Sequence, residues 1–190
     1  SVGVLSSKKR AIFRLGAGIM HAFRSYLHHE GFTEIQTPKL VGTATEGGAN
    51  VFPVDYLGRT AYLAQSPQFY KQIMVGVFER VFEVGPVFRA EPHNTARHIN
   101  EYVSLDAEMG FIHDHRTVMA TLTEVIRAII AHLGERHQAE LTLLGVQPPP
   151  VPETIPAIYF PDALRMIHET TGENVLGEPD LAPQHERWLG

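Results

Sequence analysis

Cysteine is absent from the 190 residues. That excludes disulfides, thiolate metal sites and thiol nucleophiles, and it fits a reducing compartment. No apolar run reads as long enough to span a bilayer. The first ten residues, SVGVLSSKKR, lack the basic-then-apolar order of a signal peptide. The glycine patterns of phosphate-cradling and dinucleotide-binding loops, GxxxxGK[ST] and GxGxxG, do not occur, nor do HExxH and GxSxG. Eleven histidines are present, but the pairs His113/His115 and His132/His137 have no cysteine or carboxylate companions at ligand spacing. Positive charge is also short: 16 Lys and Arg stand against 21 Asp and Glu, a net charge of −5. Bulk charge therefore cannot hold a nucleic acid, and any such contact must rest on a local basic patch.

What is there is an ordinary globular composition, 44% hydrophobic and 19% charged, with a length that suits one domain and a small appendage. The chain is organised around residues 80–112, RVFEVGPVFRAEPHNTARHINEYVSLDAEMGFI. Two runs with a period of two flank the polar loop 90–100, which predicts a pair of antiparallel strands. Arg89, Arg97 and His98, with Glu91 among them, put cations at one mouth of the sheet. A loop this long between strong strands is functional in character, and its residue types suit a polyanion.

Upstream, Ser6 and Ser7 predict the cap of a helix that runs to about Glu30, with Gly31 just beyond its end. Ile12, Leu15, Ile19, Phe23 and Leu27 form its apolar stripe, read as core packing or alternatively as a subunit interface. Residues 32–37 predict a short strand stopped by Pro38. Residues 39–50 read as a Gly- and Thr-rich loop in which Glu46 is the only acid. Residues 51–56 and 60–64 predict a hairpin with Gly58 at its turn. Ser66 as cap and Pro67 at the first turn predict a helix whose Gln68, Lys71 and Gln72 share a face. Residues 114–134 predict a long amphipathic helix that buries Val118, Leu122, Val125, Ile126, Ile129 and Leu133. The stretch QPPPVP at 147–152 has polyproline character. Two further helices are predicted, at 161–171 and, capped by Asp180, at 181–189.

Four segments in order carry a resemblance: FTEIQTP (32–38), TEGGANVF (45–52), YLAQSPQFYKQ (62–72) and FEVGPVFRAEPHNTARHINEYVSLDAEM (82–109). Together they resemble the catalytic domain of class II aspartyl-tRNA synthetases of the archaeal and eukaryotic type. The resemblance implies an α+β fold, an antiparallel sheet flanked by helices. It also implies a cytoplasmic homodimer formed through the first helix and strand, which uses ATP, Mg2+, L-aspartate and tRNA. Arg89 resembles the arginine that grips the α-phosphate of ATP and the substrate carboxylate. Its planar fork suits both tasks. Glu91 resembles the acceptor of the adenine amino group, and Arg97, His98 and Ile99 complete the ATP side. Lys71 resembles the reader of the aspartate side-chain carboxylate, with Glu46, Gln68 and Asp106 about the same substrate. Ser104, Asp106 and Glu108 alternate along one strand and share a face. Pro92, His93, Asn94 and Thr95 resemble the segment that meets the tRNA acceptor end.

The chain departs from that pattern in two ways. No glycine-rich third motif with its arginine is present, and neither is the acid that holds magnesium just before it. No anticodon-binding barrel precedes the four segments. The expectation is an excerpt of a longer ligase that is inactive alone, with no metal ligand of its own. The alternatives are a non-catalytic synthetase-like paralogue, or a relative of asparaginyl-tRNA synthetase or asparagine synthetase.

Overall fold

Ser6 stands at the head of the first helix, and its hydroxyl accepts the Lys9 N–H. This side-chain cap satisfies one of the orphan donors of a first turn. The helix, α1, is Ser7–His29, and Gly31 follows it at φ 79°. The structure is a computed structural model that describes residues 6–44, 50–90 and 99–190. It falls into two compact units, Ser1–Val151 and Pro152–Gly190.

In the first unit, β1 (Thr33–Glu34) pairs parallel with β5 (Arg80–Phe88), and β5 pairs antiparallel with β6 (Glu101–Met109). A second sheet orders β2 (Leu40–Val41), β4 (Arg59–Leu63) and β3 (Pro53–Tyr56). Between the sheets in sequence lies α2 (Gln68–Phe78), and after them come α3 (His115–Arg136) and α4 (Gln138–Leu144). The combination is α+β, as expected.

One face of β5–β6 carries the core. Phe82 and Val84 pack with Phe23 and Leu27 of α1, Phe32 and Val125, with Leu105, Met109 and Ile129 closing the sides. Phe82 meets the Phe23 ring edge-on at 5.8 Å and the His28 ring at 5.0 Å. Both are geometries that the aromatic quadrupole favours.

Several sequence expectations need correction. The strand expected at 32–37 is reduced to two residues, although the Ile35 N–H still donates to Phe82 O at 2.8 Å. The loop at 39–50 contributes β2 to a sheet. The α1 stripe is not the buried one throughout: Ile12 is 58% exposed, while Ala11, Gly18 and Ala22 are buried. Small residues win there because α3 and α4 pack closely on α1. At Gly18 a Cβ would lie only 2.4 Å from His137 Nε2. In α3, Val125 and Leu133 are buried as expected, but Val118 and Leu122 are 45% and 57% exposed. By length and composition α3 is also long and apolar enough to cross a membrane, which corrects the expectation that no run is. Here it packs along α1. The sequence reading also missed α4, which ends on Gly145 at φ 67°.

The second unit contains α5 (Phe160–Thr171), ended by Gly172 at φ 75°, and α6 (Pro183–Leu189). Leu164, Ile167 and Val175 form its core, flanked by Leu181 and Leu189. The last helix starts two residues later than expected, because Pro183 suits a first-turn position. Asp180 instead accepts the Leu181 N–H at 2.8 Å, outside the helix.

Candidate active site

The face of β5–β6 opposite the core is polar. Alternation sends Val81, Glu83, Gly85 and Val87 to that side of β5, as Phe82 and Val84 go to the other. Register then fixes their neighbours on β6: Glu83 lies opposite Asp106, Gly85 opposite Ser104, and Val81 opposite Glu108. The ladder continues one step past the strand, with the Arg89 N–H donating to Asn100 O at 2.9 Å. The two-residue period thus assigns Arg89 to the face of Glu83 and Asp106. The sequence reading had joined Ser104, Asp106 and Glu108; the pairing adds β5 to that face.

Three carboxylates on one face would repel one another, and two lysines divide them. Lys71 Nζ lies 3.2 Å from Asp106 Oδ1 and 3.4 Å from Glu108 Oε2. Both Lys71 and Asp106 are largely buried, with side chains 12% and 17% exposed. Lys39 Nζ lies 3.0 Å from Glu83 Oε1. Glu83 also accepts the Thr37 N–H at Oε1 (2.9 Å) and the Thr37 hydroxyl at Oε2 (2.7 Å).

Lys71 reaches this face from the first turn of α2. The helix begins at Gln68, one residue later than expected, with Pro67 in the capping position. Ser66 still serves the end of the helix: its hydroxyl accepts the Gln68 N–H at 3.2 Å. Gln68 and Lys71 are three residues apart and share a helix side, and Gln68 is half-buried. The segment that leads into α2 is tied in both directions. The Ala64 N–H donates to Lys39 O, and Ala64 O accepts the Phe88 N–H, each at 2.9 Å. The strand end carrying Arg89 and the turn leading to Lys71 are therefore joined through one residue.

Of the residues singled out from sequence, the structure brings Lys71 and Asp106 into contact and sets Arg89 on their face. Gln68 stands one turn before Lys71, and Ile99 is exposed beside the loop. Glu46, Glu91, Pro92, His93, Asn94, Thr95, Arg97 and His98 lie outside the described residues. The sequence reading overlooked Lys39, Thr37 and Glu83. Glu83 carried a signal, a lone acid inside the apolar run 81–88. Lys39 carried none, because its contact spans 44 positions. Among the described residues, no group of three His, Asp or Glu side chains is placed to hold a metal ion.

The polar sheet face carries a buried lysine held by two carboxylates and, further along the same ladder, an arginine at the strand end. The sequence matches the family "tRNA synthetases class II (D, K and N)" over residues 2–189, and the chain belongs to that family. It is 54% identical over 188 residues to the aspartate–tRNA(Asp/Asn) ligase of Deinococcus radiodurans, covering 99% of this chain and 43% of that protein. It is 44% identical over 194 residues to the cytoplasmic aspartate–tRNA ligase of Homo sapiens, covering 100% of this chain and 38% of that one. Among solved structures it is similar to asparaginyl-tRNA synthetase from Pyrococcus horikoshii complexed with asparaginyl-adenylate. There the TM-score is 0.84 and the identity 30%, over 98% of this chain and 43% of that one. The chain thus spans less than half the length of these relatives.

Proposed function

We propose that this chain is the N-terminal part, residues 1–190, of the catalytic domain of an aspartate–tRNA ligase. As part of a longer protein it activates L-aspartate with ATP to aspartyl-adenylate and transfers the aspartyl group to tRNA. The observation that carries the reading is the buried Lys71 held by Asp106 and Glu108 on the face of Arg89. An ammonium in that position donates to a substrate side-chain carboxylate and attracts it by charge, which a neutral amide does not match. The names of the relatives support aspartate as the substrate.

In this reading the substrate carboxylate takes its place beside Lys71, and Gln68, Glu46 and Asp106 receive its ammonium group. Arg89 bridges the α-carboxylate and the α-phosphate. It draws nucleophile and electrophile together and stabilises charge on the phosphoryl oxygens as the carboxylate oxygen attacks phosphorus and pyrophosphate leaves. Rate then comes from positioning and charge stabilisation, without a covalent enzyme intermediate. Glu91 accepts from the adenine amino group, Arg97 and His98 hold the outer phosphates, and Ile99 borders the base. Pro92, His93, Asn94 and Thr95 meet the tRNA acceptor end. Magnesium would neutralise the phosphates. In this reading its main protein ligand comes from chain beyond residue 190.

The same proposal includes a cytoplasmic homodimer formed through α1 and β1. The exposed Ile12 and Phe13 of α1 suit a buried interface. The apolar groove between β6 and α3, about 190 Å³ and bordered by Leu105, Met109 and Val118, suits coverage by further chain. The tRNA partner is aspartate tRNA, with asparagine tRNA as the finer question.

The test is amino-acid-dependent ATP–pyrophosphate exchange by the full gene product across a panel of amino acids. Exchange with aspartate, weaker by orders of magnitude with asparagine, is expected, and none is expected from residues 1–190 alone. Preference for asparagine, or no exchange with any amino acid, would sink the assignment. Charging of both tRNAs by the same protein settles the tRNA partner.

A further inference from the structure

Glu83 is the most deeply buried acid described, 2% exposed in the middle of β5, and the proposed chemistry does not use it. Burying a carboxylate costs several kcal/mol unless it is both paired and hydrogen-bonded. Here three donors meet it: the Thr37 N–H, the Thr37 hydroxyl and the Lys39 ammonium. All three come from the segment just around Pro38, where the chain leaves β1 for β2. The Lys39 ammonium also donates to Thr37 Oγ1 at 3.2 Å, so the cluster is closed on itself. It lies on the polar face, directly opposite Asp106 in the ladder.

We infer that Glu83 and Lys39 form a positioning pair that sets the height of Arg89 and Lys71 on the polar face. The inference rests on the aspartate–tRNA ligase reading for its kinetic consequences, but its structural content stands on its own. Three contacts in series carry the argument. Glu83 fixes the Lys39 side chain. Lys39 O accepts the Ala64 N–H. Ala64 O accepts the Phe88 N–H, immediately before Arg89, and residues 64–67 then lead into α2 and Lys71.

Electrostatics adds a second role. With Lys39 on Glu83, the Lys71 charge is divided between two carboxylates rather than three. The Lys39 side chain lies over Gly85, where a Cβ would sit in ordinary van der Waals contact with Lys39 Cε at 3.5 Å and Nζ at 3.6 Å and with Glu83 Oε1 at 3.5 Å.

Three variants of the full gene product separate positioning from plain stability: Glu83→Gln, Lys39→Met and the double substitution. The singles leave one buried charge unpaired and lower the melting temperature. The double replaces the pair by neutral groups and recovers most of that loss. If the pair only stabilises the fold, the double variant also recovers exchange activity, and that result overturns the inference. If the pair positions the site, kcat for aspartate-dependent exchange stays roughly 10- to 100-fold down in the double variant, as expected for a misplacement of about 1 Å. Lys39→Arg, which keeps the charge, restores part of it.

Amide hydrogen exchange supplies a readout that needs no activity. The Ala64 and Phe88 amides should exchange at least about tenfold faster in the double variant, while Leu63, tied to Phe52 O, keeps its protection. Unchanged protection at Ala64 and Phe88 overturns the inference even if the wild type shows no exchange chemistry. A wild type without aspartate activation overturns the ligase reading instead.

Discussion

Lys71 shows how a single residue changes meaning with its surroundings. On a bare helix it would be a solvated lysine whose ion pairs are worth little. Here it is largely buried and shared between Asp106 and Glu108. Replacing it with leucine removes the cation and leaves two carboxylates facing each other. Lys71→Leu should lower kcat/KM for aspartate at least about thirtyfold, the lower end for truncating one partner of a buried, hydrogen-bonded charge pair. Asparagine should suffer less, so the ratio of the two substrates is the measurement. Equal losses for both would remove Lys71 as the selector. On the core face the corresponding residue is Phe82, almost fully buried between Phe23 and His28. Phe82→Ala should cost about 3–5 kcal/mol in denaturant unfolding. A loss below about 1 kcal/mol would mean that the site collapses around the gap.

At the scale of elements, α1, α3 and α4 meet around histidines. His132 of α3 lies with its ring 5.1 Å from that of His21 on α1 and 5.6 Å from that of His137 at the α3–α4 junction. Burial, followed by His21, His137 and Arg136, pushes His132 below its ordinary value of 6.5, while Glu135 opposes the shift. Nearby, Glu140 bonds Arg14 of α1, and its carboxyl is lowered by a backbone hydrogen bond and then by Arg14. The sign for His132 follows from linkage. The unfolded histidine binds a proton more readily than the folded one, so its contribution to stability is fully present above about pH 6.5. It is lost progressively as pH falls from there toward the lowered folded value. Urea unfolding between pH 7.5 and 5.5 should show falling stability, and His132→Gln should flatten that slope. An unchanged slope would assign it to other groups.

These elements also show how much the sequence could disclose. The ends of α1 and α5 were legible because Ser6, Gly31 and Gly172 act locally, through a cap or a left-handed turn. The β5–β6 pair was legible because its alternation has a period of two. The buried side of α1 was not. Ile12 has the right spacing but, among the described residues, no neighbour that covers it, while Ala11 and Gly18 are buried because α4 needs a close approach. Likewise Val118 and Leu122 have a helical period, and no described residue covers them fully.

For the molecule as a whole, the division at Val151 has a thermodynamic consequence. Pro152–Gly190 has a small core of its own around Leu164, Ile167 and Val175. A segment of this size without disulfide or metal seldom folds alone. A chain ending at Val151 should therefore keep its helical circular dichroism and a cooperative thermal transition. The segment 152–190 by itself should show little of either. A cooperative transition in that isolated segment would show that its core is sufficient alone.

The site combines both kinds of information. The sequence by itself determined the local features: caps, turns, strand alternation, the family to which the chain belongs, and the residue types at Arg89, Lys71 and Asp106. Each depends on near neighbours or on a fixed order along the chain. Only the tertiary structure decided which charges meet. The 35 positions between Lys71 and Asp106, and the 44 between Lys39 and Glu83, are closed by strand register and helix placement, which no local pattern encodes. Pairing β5 with β6 in one register put three acids on a single face, and burial there made each of them require a partner.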